Sequence, residues 1–397
     1  MTITVSGLEA DAAPNRFTVS ANIDCDGASR RLAFISEGNH PYLEKAEPSM
    51  DPFALSMLIP AMERGEDLVI EGPVDEILLE SLRSSVQMLA GQVNRGWKPV
   101  KILAESRQES RLPEMQLGAA TGMSCGIDSL TTYQLYRDLP GTPEQHRIKL
   151  FLHNNVGSHI GKGAFVRQLE NVMRFGDGAG IPVVSVAADF SPFYRSPFIK
   201  NHILRNVAAA LANGHLFQTY HHSAGQSFSK AVSSSRFSGI GAVESVLLPA
   251  LSTRRHTFRV AGAHLSRFQK TERLLTSEVA HRHLTVCIRD HPEGRDVLNC
   301  GRCYKCAAFL AQAEAAGVIN NFRATFDVDA YLAHRSHAFL RFLRHSIGDR
   351  RLNYDLELLH RLMERGANVP AWIRPFRPLI RHLANRGRPA LFEQAPG

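Results

Sequence analysis

The feature that most constrains the fold is an alternation of apolar, strand-like runs and helical segments that begins near residue 115. Strands are expected at 117–123, 148–153, 183–188 and 216–221, and helices at 129–136, 163–174 and 199–213. Parallel strands need a long crossover connection, which a helix supplies. The alternation therefore predicts an α/β fold with a doubly wound parallel sheet covered by helices on both faces. Ligands of such sheets bind at the carboxyl ends of the strands.

Two further regions flank this α/β region. Residues 1–105 begin with short apolar runs separated by turn residues. They continue with a predicted helix over residues 51–64 and with further strand-like and helical patterns, which predicts a small α+β N-terminal domain. Residues 316–397 have helical spacing and are expected to form a helical, Arg-rich C-terminal extension. The α/β domain then occupies residues 115–315.

The composition is that of a globular protein, with 44% hydrophobic and 21% charged residues among 397. No run reaches the roughly 18 consecutive apolar residues of a membrane helix, and the first residues lack the pattern of a signal peptide. Six cysteines are too few for a disulfide scaffold in a chain of this length. We therefore expect a cytoplasmic protein without membrane association.

The positive charge is concentrated at one end of the chain. Residues 331–397 contain 12 Arg, no Lys and 5 Asp or Glu, which accounts for +7 of the formal charge of +8. An Arg-rich tail can bind nucleic acid or an acidic protein partner. A solvated helical face explains the same charges without any partner.

A short loop of small and polar residues joins the first predicted strand of the α/β region to its helix. Ser124–Ser129 reads Ser-Cys-Gly-Ile-Asp-Ser. Unpaired backbone N–H groups at a helix start, together with the helix dipole, make an anion site. The hydroxyls of Ser124 and Ser129 can donate to phosphate oxygens, Gly126 permits close approach, and Asp128 can hold Mg²⁺ or fix the loop. A well-capped helix start without a ligand explains the same residues.

Four of the six cysteines lie within twenty residues, in the pattern Cys287, Cys300, Cys303 and Cys306. Four thiolates at this spacing can converge on one tetrahedral Zn²⁺ ion. Because four cysteines close the coordination shell, the predicted site is structural and contributes folding energy. An iron–sulfur cluster and a redox pair remain the alternatives.

The six-residue loop resembles the Ser-Gly-Gly-x-Asp-Ser loop of the N-type ATP pyrophosphatases. The resemblance implies an adenine nucleotide alpha hydrolase-like, HUP-type fold, in which ATP is split to AMP and pyrophosphate and the loop holds the pyrophosphate. Cys125 departs from the pattern, since a glycine stands there in the family. The residues expected to bind ATP and pyrophosphate are Ser124, Cys125, Gly126, Ile127, Asp128, Ser129, His153, Asn154 and Arg205.

Within that superfamily, the chain is most similar to the 7-cyano-7-deazaguanine synthases. The shared features are the loop, the cysteine pattern, Arg205-Asn206 in an Ala-rich helix, and Lys270-Thr271-Glu272. The Asp-rich substrate loop of that family should fall within 223–238, but no such sequence stands there. The resemblance therefore covers the adenylating residues better than the substrate pocket.

The expected function is an ATP-dependent, AMP-forming ligase that activates a small-molecule carboxylate for amide or nitrile formation with a nitrogen donor. Its expected catalytic residues are Ser124, Asp128 and Lys270, and its cofactors are ATP, Mg²⁺ and Zn²⁺. Two alternatives remain: an RNA-modifying sulfur transferase, for which Cys125 would be the reactive thiol, and a catalytically degenerate binding subunit. The sequence allows a homodimer and identifies neither the acceptor nor the nitrogen donor.

Overall fold

The computed structural model describes residues 2–45, 47–108, 118–158, 162–233, 239–287, 297–348, 354–366 and 369–386. The chain forms two compact units. The first comprises 1–124, 132–225 and 236–261, and the second comprises 125–131, 226–235 and 262–397. The first unit therefore runs through the boundary predicted near residue 105.

The first unit is built on one sheet, to which the described residues contribute ten strands. These are β1 (Thr2–Ala13), β2 (Arg16–Cys25), β3 (Ala28–Gly38), β4 (Asp67–Asp75), β5 (Ile102–Arg107), β6 (Ala119–Gly122), β7 (Ile148–Asn155), β8 (Val183–Ala187), β9 (Thr219–Ser223) and β10 (Thr257–Ala261). Their order across the sheet is β10-β9-β6-β7-β8-β3-β2-β1-β4-β5. The expected α/β fold with a large, mostly parallel sheet is confirmed.

The helices of the described residues lie between and after these strands. They are α1 (Asp51–Arg64), α2 (Glu76–Arg83), α3 (Ser85–Val93), α4 (Ile127–Tyr136), α5 (Lys162–Ala179), α6 (His202–Leu211), α7 (Phe228–Ser233), α8 (Glu244–Ala250), α9 (Arg267–Leu275), α10 (Glu278–His283), α11 (Tyr304–Ala315), α12 (Val328–Gly348), α13 (Tyr354–Glu364) and α14 (Arg377–Arg386). None of them is long and apolar enough to cross a membrane.

The parallel half of the sheet contains the strands predicted after residue 115. Neighbouring strands of the series β10-β9-β6-β7-β8 pair in parallel. In chain order, β7 and β8 are added to the sheet on one side of β6, whereas β9 and β10 are added on its other side. The strand order therefore reverses between β6 and β9, where open α/β sheets bind their ligands beyond the carboxyl ends of the strands. Residue 117, the start of the first predicted strand, lies outside the described residues.

The N-terminal half of the sheet joins the parallel half through one antiparallel pair. β3 pairs with β8 from Ile35 opposite Ala187 to Gly38 opposite Val184. A Cβ atom on Gly38 would stand 2.3 Å from the carbonyl oxygen of Val183, so a side chain at this position would block the close approach of the two strands. The strands of residues 2–107 and those of residues 119–261 thus share a single sheet.

The helix predicted over residues 51–64 is found as α1, and nearly all of its side chains are buried. The ring of Phe53 packs edge-on against Phe34 of β3, with centroids 5.5 Å apart, and Phe34 packs in the same way against Phe190 after β8. Burying each such ring contributes about 2 to 3 kcal/mol. The N-terminal residues therefore share a hydrophobic core with the α/β region.

The second unit is a group of helices organised around α11. The rings of Phe309, Phe322 and Phe326 are buried, with Phe309 centroids 4.8 Å from Phe322 and 5.2 Å from Phe326. Tyr304 at the start of α11 donates a hydrogen bond of 2.7 Å to Asp355 of α13. These contacts order the C-terminal helices that the sequence predicts.

His221 is a buried histidine of the first unit. Its ring stacks on Tyr136, with centroids 3.9 Å apart, and its Nε2 lies 3.1 Å from the carbonyl oxygen of His146. A carbonyl oxygen only accepts, so Nε2 carries the proton and the neutral ring is the form that fits. Burial lowers the pKa of His221 to about 4.

We predict that His221 makes the first unit less stable in acid. Since its folded pKa lies below the unfolded value of about 6.5, the unfolded state takes up a proton first as the pH falls. Stability present above pH 6.5 is then lost toward pH 4, by up to about 3 kcal/mol from this group. Denaturant unfolding of a Trp372→Phe variant, read by buried Trp97, measures this loss. Adding His221→Gln should lower by one the number of protons taken up on unfolding, which is read from the slope of the free energy of unfolding against pH. An unchanged slope would refute the assignment.

Candidate functional site

The loop predicted to bind an anion leaves β6 and enters α4 with a sharp backbone turn. Cys125 has a φ of 52°, in the left-handed region that favours glycine, and its side chain is fully buried. The first helical hydrogen bond runs from the N–H of Leu130 to the carbonyl oxygen of Gly126. The helix begins at Ile127, two residues earlier than predicted. Asp128 therefore lies in the first turn, where the helix dipole favours a carboxylate.

The two serines of the loop each form a hydrogen bond, one through its side chain and the other through its backbone carbonyl group. Ser129 donates from Oγ to the carbonyl oxygen of Gly126 at 3.2 Å. The carbonyl oxygen of Ser124 accepts a hydrogen bond of 3.1 Å from Gln168 of α5. Ser124 belongs to the first unit, and residues 125–131 belong to the second.

Asp128 is held by two cations of the second unit. Its Oδ1 lies 3.1 Å from Nζ of Lys270, and its Oδ2 lies 2.9 Å from the guanidinium of Arg267. The Lys270 side chain is only 2% exposed, whereas Arg267 is 37% exposed. The structure therefore brings together two residues that the sequence singled out, Asp128 and Lys270.

Both cations project from the first turn of α9. Ser266 and Gln269 form a capping box there, which fixes where the helix begins. Residues three apart share a helix face, so Arg267 and Lys270 approach the same carboxylate. Sequence reasoning missed Arg267, although its position three residues before Lys270 was a signal that could have found it.

A third basic side chain, Lys305 of α11, lies close enough to interact electrostatically with Asp128 and Arg267. Desolvation by neighbouring atoms and the positive charge of Arg267 lower the pKa of Lys305, whereas Asp128 raises it. Cys303 and Cys287 of the cysteine pattern raise it as well. Arg267 and Lys270 thus contact the loop carboxylate directly, and Lys305 interacts with both the carboxylate and the cysteines.

The four cysteines of the C-terminal pattern converge in the second unit. Their sulfurs all lie within 4.8 Å of one another, and the shorter separations run from 3.3 Å between Cys303 and Cys306 to 4.0 Å between Cys300 and Cys306. A disulfide requires about 2.05 Å between sulfurs, so these are free thiols. The cluster can hold a metal ion, and its small size suits a single ion.

Without a cation the four thiols share hydrogen bonds and differ in their tendency to ionise. Hydrogen bonds with Cys287 raise the pKa of both Cys303 and Cys306. At Cys300 the hydrogen bond with Cys287 acts in the same direction, but those with Cys303 and Cys306 outweigh it and lower the pKa of Cys300 to about 6. A metal ion would stabilise every thiolate that ligates it, so all four cysteines could then ionise together.

The segments that carry the cysteines are fixed by buried contacts. Asn299 accepts through Oδ1 from the N–H groups of Val286 and Cys287, and donates through Nδ2 to the carbonyl oxygens of Leu284 and Thr325. Its side chain thereby places Cys287 beside Cys300, the residue that follows Asn299. Sequence reasoning missed Asn299, because a buried asparagine carries no motif.

A glycine completes the turn between Cys300 and Cys303. Gly301 has a φ of 69°, and a Cβ atom there would lie 2.0 Å from the carbonyl oxygen of Asp327. Only glycine combines this conformation with this close approach. The glycine of the Cys-Gly-x-Cys pattern is therefore required by the backbone, and its cysteines supply the thiols.

One backbone hydrogen bond joins the loop to the cysteine segment. The N–H of Thr285, two residues before Cys287, donates to the carbonyl oxygen of Cys125 at 2.8 Å. Both residues belong to the second unit. This hydrogen bond ties the loop to the segment that leads to Cys287.

His153 and Asn154 lie at the carboxyl end of β7 in the first unit. His153 is buried and donates from Nδ1 to the carbonyl oxygen of Met123 at 2.8 Å. Asn154 donates from Nδ2 to Asn206 of α6 at 3.0 Å. The first bond ties the end of β7 to the residue that follows β6, and the second ties it to α6.

Arg205 of α6 is also in the first unit, and it is only 6% exposed. Its guanidinium lies over three aromatic rings, of which Tyr194 is nearest at 4.1 Å, and it donates to the carbonyl oxygen of Val156 at 3.3 Å. Desolvation lowers its pKa. The aromatic faces compensate part of the cost of burying this charge.

We predict that the left-handed conformation at Cys125 makes glycine the better small residue at this position. Cys125→Gly and Cys125→Ala both remove the thiol, but only alanine keeps the strain of a side chain at positive φ. The glycine variant should be more stable by about 1 kcal/mol. Chemical denaturation of the pair measures the difference, and equal or higher stability of the alanine variant would show that the loop is not strained.

We predict that the cysteine cluster binds one metal ion and that the second unit depends on it. Cys303→Ser should abolish stoichiometric metal in elemental analysis and lower the free energy of unfolding by an amount on the order of several kcal/mol. Chelator treatment of the wild-type protein should reproduce the loss. The matched control is Cys25→Ala, which alters a buried cysteine of the first unit. Retention of one ion per chain by Cys303→Ser would contradict this assignment.

The second unit thus contains the loop carboxylate, the two cations that contact it and the four-cysteine cluster. The first unit contains His153, Asn154 and Arg205. Comparison with models of protein families, with curated proteins and with solved structures gives no match to this chain.

Proposed function

We propose that this chain is an ATP-dependent, AMP-forming ligase that activates a carboxylate substrate for amide or nitrile formation. The observation that carries the proposal is the set of contacts at Asp128. A loop carboxylate at a helix start, paired with the buried Lys270 and with Arg267, is an arrangement suited to Mg²⁺ and polyphosphate. Asp128 would hold the Mg²⁺ ion, which supplies neutralisation of phosphate charge when bound.

The conformation of Cys125 supports the resemblance to the ATP pyrophosphatase loop. The family has glycine at this position, and Cys125 adopts a φ of 52° that glycine reaches without strain. This sequence therefore differs from the family pattern in the side chain at position 125, while its backbone adopts a conformation that suits glycine. The Cys125 side chain itself is buried.

The position of the loop in the chain supports a nucleotide ligand. The loop directly follows β6, the strand at which the order of the parallel half reverses. Phosphates commonly bind where such a strand meets the N-terminus of the next helix. A Walker phosphate loop is a different solution, since it requires a Gly-Lys-Ser/Thr sequence that is absent here.

In the proposed reaction, a carboxylate oxygen of the substrate attacks the α-phosphorus of ATP and the bond to the β-phosphate oxygen breaks. The products are an acyl adenylate and pyrophosphate. Lys270 and Arg267 stabilise negative charge that develops on the phosphates. Ammonia then attacks the acyl carbon, AMP leaves with the bonding electron pair, and the amine proton is released to give an amide.

We also propose that the cysteine cluster holds Zn²⁺. With Zn–S bonds of about 2.3 Å, the edge of a tetrahedron is about 3.8 Å. The separation between Cys287 and Cys300 is 3.6 Å and that between Cys287 and Cys303 is 3.9 Å. An iron–sulfur cluster of several atoms needs more widely separated thiolates. With all four ligands from the protein, the proposed role is structural.

The sulfur transferase alternative requires an accessible, reactive thiol. Cys125 and Cys25 are both buried, and the other four cysteines form the cluster for which we propose a metal. Neither position is suited to persulfide chemistry. The binding-subunit alternative is decided by whether the protein turns over ATP.

We predict pyrophosphate release from Mg·ATP in the presence of the right carboxylate, tested with a panel that includes 7-carboxy-7-deazaguanine. Asp128→Asn and Lys270→Ala should each lower the rate by about a hundredfold or more, because each removes a charge that acts on the phosphates. The matched control is Lys101→Ala, an exposed lysine of the first unit.

Pyrophosphate release that survives both substitutions would contradict the assignment of the site. Absence of both ATP binding and pyrophosphate release, in protein with its metal bound, would favour the binding-subunit alternative. Loss of activity in Cys125→Ser but not in Asp128→Asn would favour the sulfur transferase.

A further inference from the structure

A short segment near the C-terminus combines arginines with exposed aromatic rings. Residues 369–386 contain four Arg, no Lys and no Asp or Glu. The segment comprises a 3₁₀ helix, Ala371–Phe376, and then α14. Its charge is therefore entirely positive over about five turns of helical structure.

The aromatic side chains of this segment are open to solvent. Trp372 is 40% exposed, Phe376 is 38% exposed, and Leu379 is 42% exposed. Large exposed apolar groups that cluster on a surface commonly mark a binding site. Here the two aromatic residues and three arginines follow one another closely in the chain, in the order Trp372, Arg374, Phe376, Arg377 and Arg381. We call these five residues the arginine–aromatic surface.

The arginines of this surface, Arg374, Arg377 and Arg381, are exposed to solvent. Within the described part of the chain, none of them forms an ion pair. In the neighbouring helix α13, Oε1 of Glu364 lies 3.3 Å from Nε2 of His360. Most of the positive charge is therefore available to a ligand.

A cleft adjoins the arginine–aromatic surface. It has a volume of about 270 Å³ and is lined by His360, Met363, Glu364, Arg377, Ile380 and Arg381. Of these residues, His360, Met363 and Ile380 are buried, whereas Glu364, Arg377 and Arg381 are exposed. The volume is near the lower end of small-ligand sites, so a single planar group fits better than a large ligand.

We propose that the arginine–aromatic surface binds single-stranded nucleic acid. Exposed aromatic rings stack on unpaired bases, and arginines contact the phosphates and stack on bases as well. The use of arginine alone, without lysine, suits planar and bidentate recognition. The adjoining cleft offers buried apolar side chains for one base and two guanidinium groups for its phosphates.

The packing of α14 disfavours a membrane as the ligand. Amphipathic helices that lie on membranes insert a continuous apolar face. In this segment Ile373 and Ile380 are already buried within the protein. What stays exposed is two aromatic rings and Leu379 interspersed with arginines, and this interruption by charges suits stacking better than insertion.

This inference is independent of the ligase proposal, because it rests on residues that play no part at Asp128. Nucleic-acid binding and pyrophosphate release can therefore succeed or fail separately. If both are found, the carboxylate substrate can belong to a nucleic acid; if only binding is found, the surface serves another purpose.

The test is fluorescence anisotropy with labelled single strands of about 15 nucleotides, one of RNA and one of DNA. Trp372→Ala and Phe376→Ala should each weaken binding by about tenfold, with the salt dependence unchanged. Arg377→Gln and Arg381→Gln should each reduce the slope of log affinity against log salt by about 0.7. Glu364→Gln should tighten binding, a gain that a folding defect cannot produce.

Matched controls are Arg95→Gln and Met88→Ala, which change exposed residues of the first unit and should leave binding unchanged. The proposal is overturned if neither single strand binds at about 50 mM salt. It is also overturned if duplex binds as tightly as single strand, or if vesicles containing phosphatidylserine or polyglutamate bind more tightly than either single strand. A preference between the RNA and DNA strands identifies which nucleic acid the surface takes.

Discussion

The antiparallel pairing of β3 with β8 is the contact on which the first unit depends. It joins five strands from residues 2–107 to the five parallel strands that follow, and it requires the close backbone approach at Gly38. The rings of Phe34, Phe53 and Phe190 pack across the same junction. Because each half of the sheet covers an edge strand of the other, neither half exposes that edge to solvent.

The second unit depends in a similar way on the pairing of a buried positive charge with a carboxylate. Lys270 is almost completely buried, and a buried ammonium group requires a partner. Asp128 supplies it, and the same carboxylate also contacts the exposed guanidinium of Arg267. A ligand with more negative charge than one carboxylate can exchange with part of this network without leaving Lys270 unpaired. The polyphosphate that we propose would be such a ligand.

Much of the candidate site was predictable because its signals are local. The turn at Ser124–Ser129 and the spacing of Cys300, Cys303 and Cys306 are contiguous in the chain. Arg267 and Asn299 were missed because their roles depend on partners distant in sequence: Asp128 for Arg267, and Leu284 and Thr325 for Asn299. The pairing of β3 with β8 was missed for the same reason, since a strand pattern does not specify its neighbour.

By itself, the sequence determined the alternation of strands and helices after residue 115, the helix over residues 51–64 and the grouping of four cysteines, because periodicity and short-range spacing act through neighbouring residues. Only the tertiary structure decided that the N-terminal strands extend the same sheet and that Cys125 takes a left-handed backbone. It also decided that Lys270 is buried against Asp128. Those outcomes depend on which distant surfaces meet, and burial and charge pairing are set by that meeting and not by local sequence.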